Sequence, residues 1–207
     1  MSNSVSRRDF LKVTSSAGAG LMMSVYLPGK PRFKSAASDS FEPNVWIKIS
    51  PDNKVIITLA KSEMGQGVKT ALPMIVADEL DADWQNVEVV QADAHPDKYG
   101  GMMTVGSRSV RGGAWMRLRE TGATAREMLV SAAAKRWGVD SASCRTENSS
   151  VYHDASNRTL TYGNLISDAS GQKVPKKPQL KDPSQFKYIG KSIPQIDTPD
   201  KVSGKTV

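Results

Sequence analysis

Val45-Trp46-Ile47-Lys48-Ile49-Ser50-Pro51-Asp52-Asn53-Lys54-Val55-Ile56-Ile57-Thr58-Leu59 holds two β-rich runs on either side of a Ser-Pro-Asp-Asn turn. Pro and Asp/Asn between β-branched stretches mark a hairpin. The second run leads straight into Lys61-Ser62-Glu63-Met64-Gly65-Gln66-Gly67. Beyond it Ala71, Leu72, Ile75, Val76 and Leu80 recur at helical spacing, which predicts a short helix ending at Asp81-Ala82-Asp83. Pro73 fits only a first turn, so that helix is expected to begin near Thr70. Val87–Val90 reads as a further strand. A hairpin, a glycine loop, a helix and a returning strand predict an α+β domain around a small mixed or antiparallel sheet.

Downstream, residues 92–113 are polar and aperiodic, with five glycines between 100 and 113. A loop of that length inside a compact domain points to function. It runs into the strongest helical pattern of the chain, an apolar stripe through Val110, Ala114, Leu118, Gly122, Ala125, Leu129, Ala132 and Trp137, with Gly138 as C-cap. Short strands are expected at Ser143–Thr146, Val151–His153 and Arg158–Thr161, followed by a weak helix over Tyr162–Ser170.

The two ends differ in character from this middle. Residues 1–37 contain Ser6-Arg7-Arg8-Asp9-Phe10-Leu11-Lys12 and then an uncharged run over Val13–Leu27 that is too short to span a bilayer. A basic n-region before a short apolar stretch is an export-signal pattern, and the arginine pair makes it a twin-arginine address. Such an address predicts a periplasmic protein that crosses the membrane already folded, often around a cofactor. Residues 172–207 hold five of the eleven prolines and eight lysines, and are expected to form an extended, solvated connector toward a downstream domain. The expected folded domain is therefore 38–171.

Charge follows the same division. The formal net charge is +7, yet residues 1–37 and 172–207 each carry +5 and residues 38–171 carry −3. The basic charge sits on the ends rather than on a structured face, which argues against a nucleic-acid partner. A single cysteine, Cys144, excludes an internal disulfide, and it reads as a small half-buried residue of a strand. No stretch after the leader approaches the ~20 apolar residues of a membrane span.

Two loops carry candidate chemistry. In Met64-Gly65-Gln66-Gly67, two glycines let the backbone approach a ligand while the Gln66 amide offers a donor and an acceptor. The N–H groups at the helix start can take an anion. Gly106-Ser107-Arg108-Ser109-Val110-Arg111-Gly112-Gly113 repeats this with hydroxyls and guanidinia before the long helix. Each loop also has a purely structural reading, a tight turn for the first and a surface loop with an N-cap serine for the second. Two such loops at two helix starts suggest one shared ligand.

The stretch Glu63–Trp84, with Val87–Gln91, Gly106–Gly113 and Leu118-Arg119-Glu120-Thr121-Gly122-Ala123, resembles the molybdopterin-binding large subunit of the xanthine dehydrogenase and aldehyde oxidase family. The isoquinoline 1-oxidoreductase beta branch is the most similar. Leu180-Lys181-Asp182-Pro183, Ile189-Gly190-Lys191 and Asp197–Gly204 resemble the segment leading into that family's next domain. The resemblance implies molybdopterin cytosine dinucleotide as cofactor, held here by Gly65, Gln66, Gly67, Ser107 and Ser109. It implies hydroxylation of an N-heterocycle or oxidation of an aldehyde with water as oxygen source. It also implies a [2Fe–2S] small subunit as partner and, in some exported systems, a cytochrome. The family's catalytic glutamate lies in a motif this sequence lacks, so no residue is assigned catalysis or metal ligation, Glu63 included. The expectation is an N-terminal portion of a large subunit, inactive alone. The alternative is a non-enzymatic exported interaction module of the same fold.

Overall fold

The computed structural model describes residues 21–24, 45–99 and 101–205. The twin-arginine motif lies outside the described residues. Of the segment read as a signal, Leu21–Ser24 is described, as strand β1.

β2 (Val45–Ile49) and β3 (Val55–Leu59) form the expected antiparallel hairpin, with Ile47 opposite Ile57. β1 pairs antiparallel on the outer side of β2, and β4 (Val87–Gln91) pairs parallel with β3, giving a mixed sheet in the order β1-β2-β3-β4. Strand alternation explains the layer above it. Val55, Ile57 and Leu59 of β3 are buried while Ile56 and Thr58 are only partly so. That buried face receives α1 (Val68–Leu80), against which the long helix α2 (Ala114–Trp137) packs. A second, antiparallel sheet of β5 (Arg145–Glu147), β6 (Ser150–His153) and β7 (Arg158–Thr161) leads into α3 (Tyr162–Ser170), which packs on α2. Tyr162 is fully buried and donates its hydroxyl to the Leu80 carbonyl at 2.6 Å, joining α3 to the end of α1. The fold is α+β, with one short and one long packed helix over a small mixed sheet.

Three expectations are corrected. α1 begins at Val68, not Thr70, so Pro73 lies in its second turn and leaves the Lys69 carbonyl without the usual amide partner. The stripe of the long helix does not include Val110, which is exposed on a separate turn, Arg108–Arg111. Gly113 at φ 99° interrupts the helix between them. The strand expected from Ser143 begins at Arg145, because Asp140 caps a 3₁₀ turn over Ser141–Ser143 by accepting from the Ala142 N–H at 2.9 Å. Cys144 is thus partly buried just before that strand.

The tail differs from a solvated connector. Residues 179–197 cross the outside of α1 and α2, and the buried carboxylate of Asp78 accepts from the N–H groups of Lys187, Tyr188 and Ile189 at 2.9, 3.1 and 2.9 Å. Beside it Glu79, fully buried, accepts from Arg119 Nε at 2.6 Å and from the Lys181 N–H at 3.0 Å, with Arg126 Nη1 at 3.5 Å. Lys181 Nζ reaches Asp81 at 2.7 Å. Apart from a 3₁₀ turn over Pro183–Gln185 the segment is extended, but it is bound through its backbone.

Candidate functional site

The glycine loop lies at the carboxyl end of β3, between that strand and α1. Glu63 organises it. One oxygen, Oε1, accepts from the N–H groups of Gly65 and Gly67 at 2.8 and 2.9 Å, and Oε2 accepts from the Lys69 N–H at 2.8 Å. Partial burial pushes the Glu63 carboxyl upward, but the three backbone donors outweigh it and, with Lys201 nearby, hold it below the usual glutamate range. The helix-start donors expected to take an external anion are therefore partly occupied by the chain's own carboxylate. Gln66 behaves similarly: its carbonyl oxygen accepts from the Met64 N–H at 2.5 Å and its amide donates to the Ser62 carbonyl at 2.8 Å. The amide closes the loop rather than projecting freely from it, although the residue is exposed and keeps hydrogen-bonding capacity.

The second loop is tied alongside the first. The Ser62 N–H donates to Thr104 Oγ1 at 3.2 Å, and Lys61 Nζ donates to the carbonyls of Gly101 and Met103. The two stretches separated by some forty residues thus form one edge of the molecule. Ser107 is exposed, at φ 59°, at the start of the Arg108–Arg111 turn, and its hydroxyl makes no cap. Ser109 faces inward, and its buried Oγ has no hydrogen-bond partner among the described residues. Leaving such a hydroxyl unsatisfied costs about 1–3 kcal/mol. Gly65, Gly106 and Gly113 adopt positive φ with open space where a side chain would stand. Bare backbone facing open space and a buried hydroxyl without a partner fit a polar, anionic group such as a pterin or a phosphate. Among the described residues no group of three His, Cys, Asp or Glu side chains is placed to hold a metal ion.

One residue of this edge escapes sequence reasoning. A β-carbon on Gly67, at φ 81°, would stand 3.2 Å from the side-chain nitrogen of Gln195. Next to it the Ile196 N–H donates to Thr70 Oγ1 at 3.0 Å, and Asp197 pairs with Lys201 at 2.8 Å. The tail therefore ends against the glycine loop. No periodic signal marks Gln195, because its placement depends on the carboxylate clamp at Asp78.

The molybdopterin cofactor-binding domain matches residues 5–202 of this chain. The beta chain of the isoquinoline 1-oxidoreductase of Brevundimonas diminuta is 34% identical over 201 residues, covering 79% of this chain and 26% of that protein. A membrane-bound aldehyde dehydrogenase (pyrroloquinoline-quinone) of Gluconacetobacter polyoxogenes is 33% identical over 220 residues, covering 99% and 27% respectively. One subunit of the nicotinate dehydrogenase of Pseudomonas putida is 31% identical over 163 residues, covering 78% and 13%. The chain thus spans about a quarter or less of the length of these relatives. Among solved structures, quinoline 2-oxidoreductase from Pseudomonas putida 86 aligns with a TM-score of 0.48 at 20% identity, over 61% of this chain and 16% of that one. The match from residue 5 to residue 202 takes in both loops and both packed helices, and the chain belongs to the molybdopterin cofactor-binding domain family of the molybdenum hydroxylases.

Proposed function

We propose that this chain supplies one wall of a molybdopterin cytosine dinucleotide site in the large subunit of a molybdenum hydroxylase. The observation that carries the reading is the pinning of the 62–67 loop against the 101–113 loop through Lys61 and Ser62. It gives the two ligand-binding candidates a common edge. On that edge the backbone of Gly65 and Gly106 allows close approach, Gly67 lies under Gln195, and the Ser107 and Ser109 hydroxyls donate to anionic oxygens. Glu63 holds the glycine loop in shape, and Gln66 adds its remaining amide donor. The molybdenum centre, when bound, supplies two-electron oxidation of an N-heterocycle or an aldehyde with oxygen from water. The remainder of a large subunit supplies the other walls and the catalytic carboxylate, a [2Fe–2S] small subunit or a cytochrome takes the electrons, and this chain alone is inactive.

Gly65→Val and Ser109→Ala in the assembled large subunit test this. Molybdenum and cytosine nucleotide per protein should fall in both variants while the circular dichroism stays unchanged. A second reading, an interaction module of the same fold without cofactor, is favoured by one observation: Glu63 and Gln66 satisfy much of the loop internally. Full occupancy in both variants would put that reading ahead. Pyrroloquinoline quinone in place of molybdenum would overturn the cofactor assignment.

The reading includes export. Arg7 and Arg8 direct the folded chain through the twin-arginine route to the periplasm. Arg7→Lys with Arg8→Lys keeps the charge but removes the guanidinium pair that the receptor reads. The double variant should remain in the cytoplasm, and undiminished periplasmic accumulation would refute the address.

A further inference from the structure

Between the carboxyl end of β3 and the starts of α1 and α2 lies a cavity of about 190 Å³. Trp46, Ile57, Leu59, Leu72 and Leu118 give it apolar walls, and Lys61, Arg108 and Arg117 line it as well. Three observations there call for a ligand. The indole N–H of Trp46 is buried with no hydrogen-bond partner among the described residues. Neither Arg108 nor Arg117 enters an ion pair among the described residues. Lys61, desolvated and beside Arg117, is shifted below the ordinary lysine range.

We propose that this cavity binds a small aromatic monocarboxylate, with the ring between Trp46 and the leucine side chains and the carboxylate between Arg108 and Arg117. Size supports a single ring: an apolar cavity of roughly 150 Å³ accepts benzene, and a carboxylate adds little to that. Chemistry supports a planar monoanion. A guanidinium fork matches a carboxylate bidentately. A phosphate dianion would lose more hydration against the apolar walls than a monoanion does, for the same donors. The inference shares Lys61 and Arg108 with the loop edge but does not rest on the cofactor reading, and either can fail without the other.

The test uses the 207-residue chain, labelled with ¹⁵N, and follows its four indole N–H resonances. Trp46→Phe identifies the Trp46 signal by its loss. Benzoate should shift that signal saturably and leave Trp84, Trp115 and Trp137 unmoved. Benzyl alcohol, a ring without charge, and acetate, a charge without a ring, should not saturate it over the same range. Arg108→Gln and Arg117→Gln should each weaken benzoate by about tenfold, the loss expected of one charge-assisted contact. Both arginines are exposed, so these variants should keep the wild-type circular dichroism. Three results would each overturn the proposal: no saturable benzoate shift in folded protein, equal binding of benzyl alcohol, or inorganic pyrophosphate competing more tightly than benzoate. The last would make the cavity a phosphate pocket belonging to the loop edge.

Discussion

Glu63 ties together the sequence, the loop and the pH response of the site. Its carboxylate reaches three backbone N–H groups within six residues, a density of donors that only a loop turning twice through glycine provides. Replacement by Gln keeps the shape but removes the charge and turns one acceptor into a donor facing an N–H group. Glu63→Gln should cost about 1–2 kcal/mol in denaturant unfolding at neutral pH. The sign of the pH dependence follows from the depressed carboxyl. An unfolded glutamate titrates near 4.5 and the folded one lower. The stabilisation is therefore complete above 4.5 and is lost as pH falls through the folded value. The gap between wild type and Glu63→Gln should close on acidification, and a gap constant down to the acid transition would show that the charge is not what holds the loop. Gly67 tests the other side of the loop. Gly67→Ala meets both a strained φ of 81° and the Gln195 amide. Strain alone is roughly 1–2 kcal/mol. In a double-mutant cycle, Gln195→Ala should recover the contact part of the loss but not the strain. Additive effects would show that Gln195 does not lie over Gly67.

At the scale of elements, the crossing of α1 and α2 decides how the two loops come together, since each helix begins where one loop ends. Gly122 sits at that crossing, where an added β-carbon would lie 2.6 Å from the Val76 carbonyl oxygen and 2.8 Å from Glu79 Cβ. The contact is with helix backbone, which cannot rotate aside, so Gly122→Val must push the helices apart. A cost of about 1–3 kcal/mol or more is expected, together with faster hydrogen exchange at the Ser62 amide that links the loops. A variant as stable as wild type would mean the helices do not approach this closely. The two helices and the hairpin were legible in the sequence because one buried face imposes a period of 3.6 or 2 on the residues. Val110 extended the stripe only on paper, since Gly112-Gly113 lets the backbone turn before the helix begins. The loop residues were legible as glycines and serines, but the use of Glu63 as an internal cap was not. Nothing in an exposed-looking carboxylate announces the backbone donors that fold around it.

For the whole molecule, the tail matters most, and it was the least legible part. It is held through backbone N–H groups and buried charge, neither of which leaves a side-chain period. The available signal was indirect. Asp78 and Glu79 fall within the apolar span of α1, and Arg119 and Arg126 stand two turns apart on one side of α2. Together they make Glu79 a junction of both helices and the tail: Arg119 also donates to the Lys181 carbonyl at 2.5 Å, and Arg126 to the carbonyls of Glu79 and Gln179, each at 2.5 Å. A buried pair of this kind is weak evidence for stability, since desolvation offsets most of the attraction, but removing one partner strands the other. Glu79→Ala leaves two largely buried guanidinia facing a void and frees the Lys181 N–H. A loss of about 3–5 kcal/mol is expected, a large share of a single domain's stability. Glu79→Leu combined with Arg119→Met, which replaces the pair by apolar volume, should recover part of that loss. Amide exchange separates a clamp from a local packing defect. If the junction holds the tail down, Glu79→Ala should speed exchange at Lys187, Tyr188 and Ile189 and, through Gln195 and Ile196, reach the glycine loop. Unchanged protection there, with the helices destabilised, would show that the tail is docked by Asp78 alone and that the loop is positioned without it.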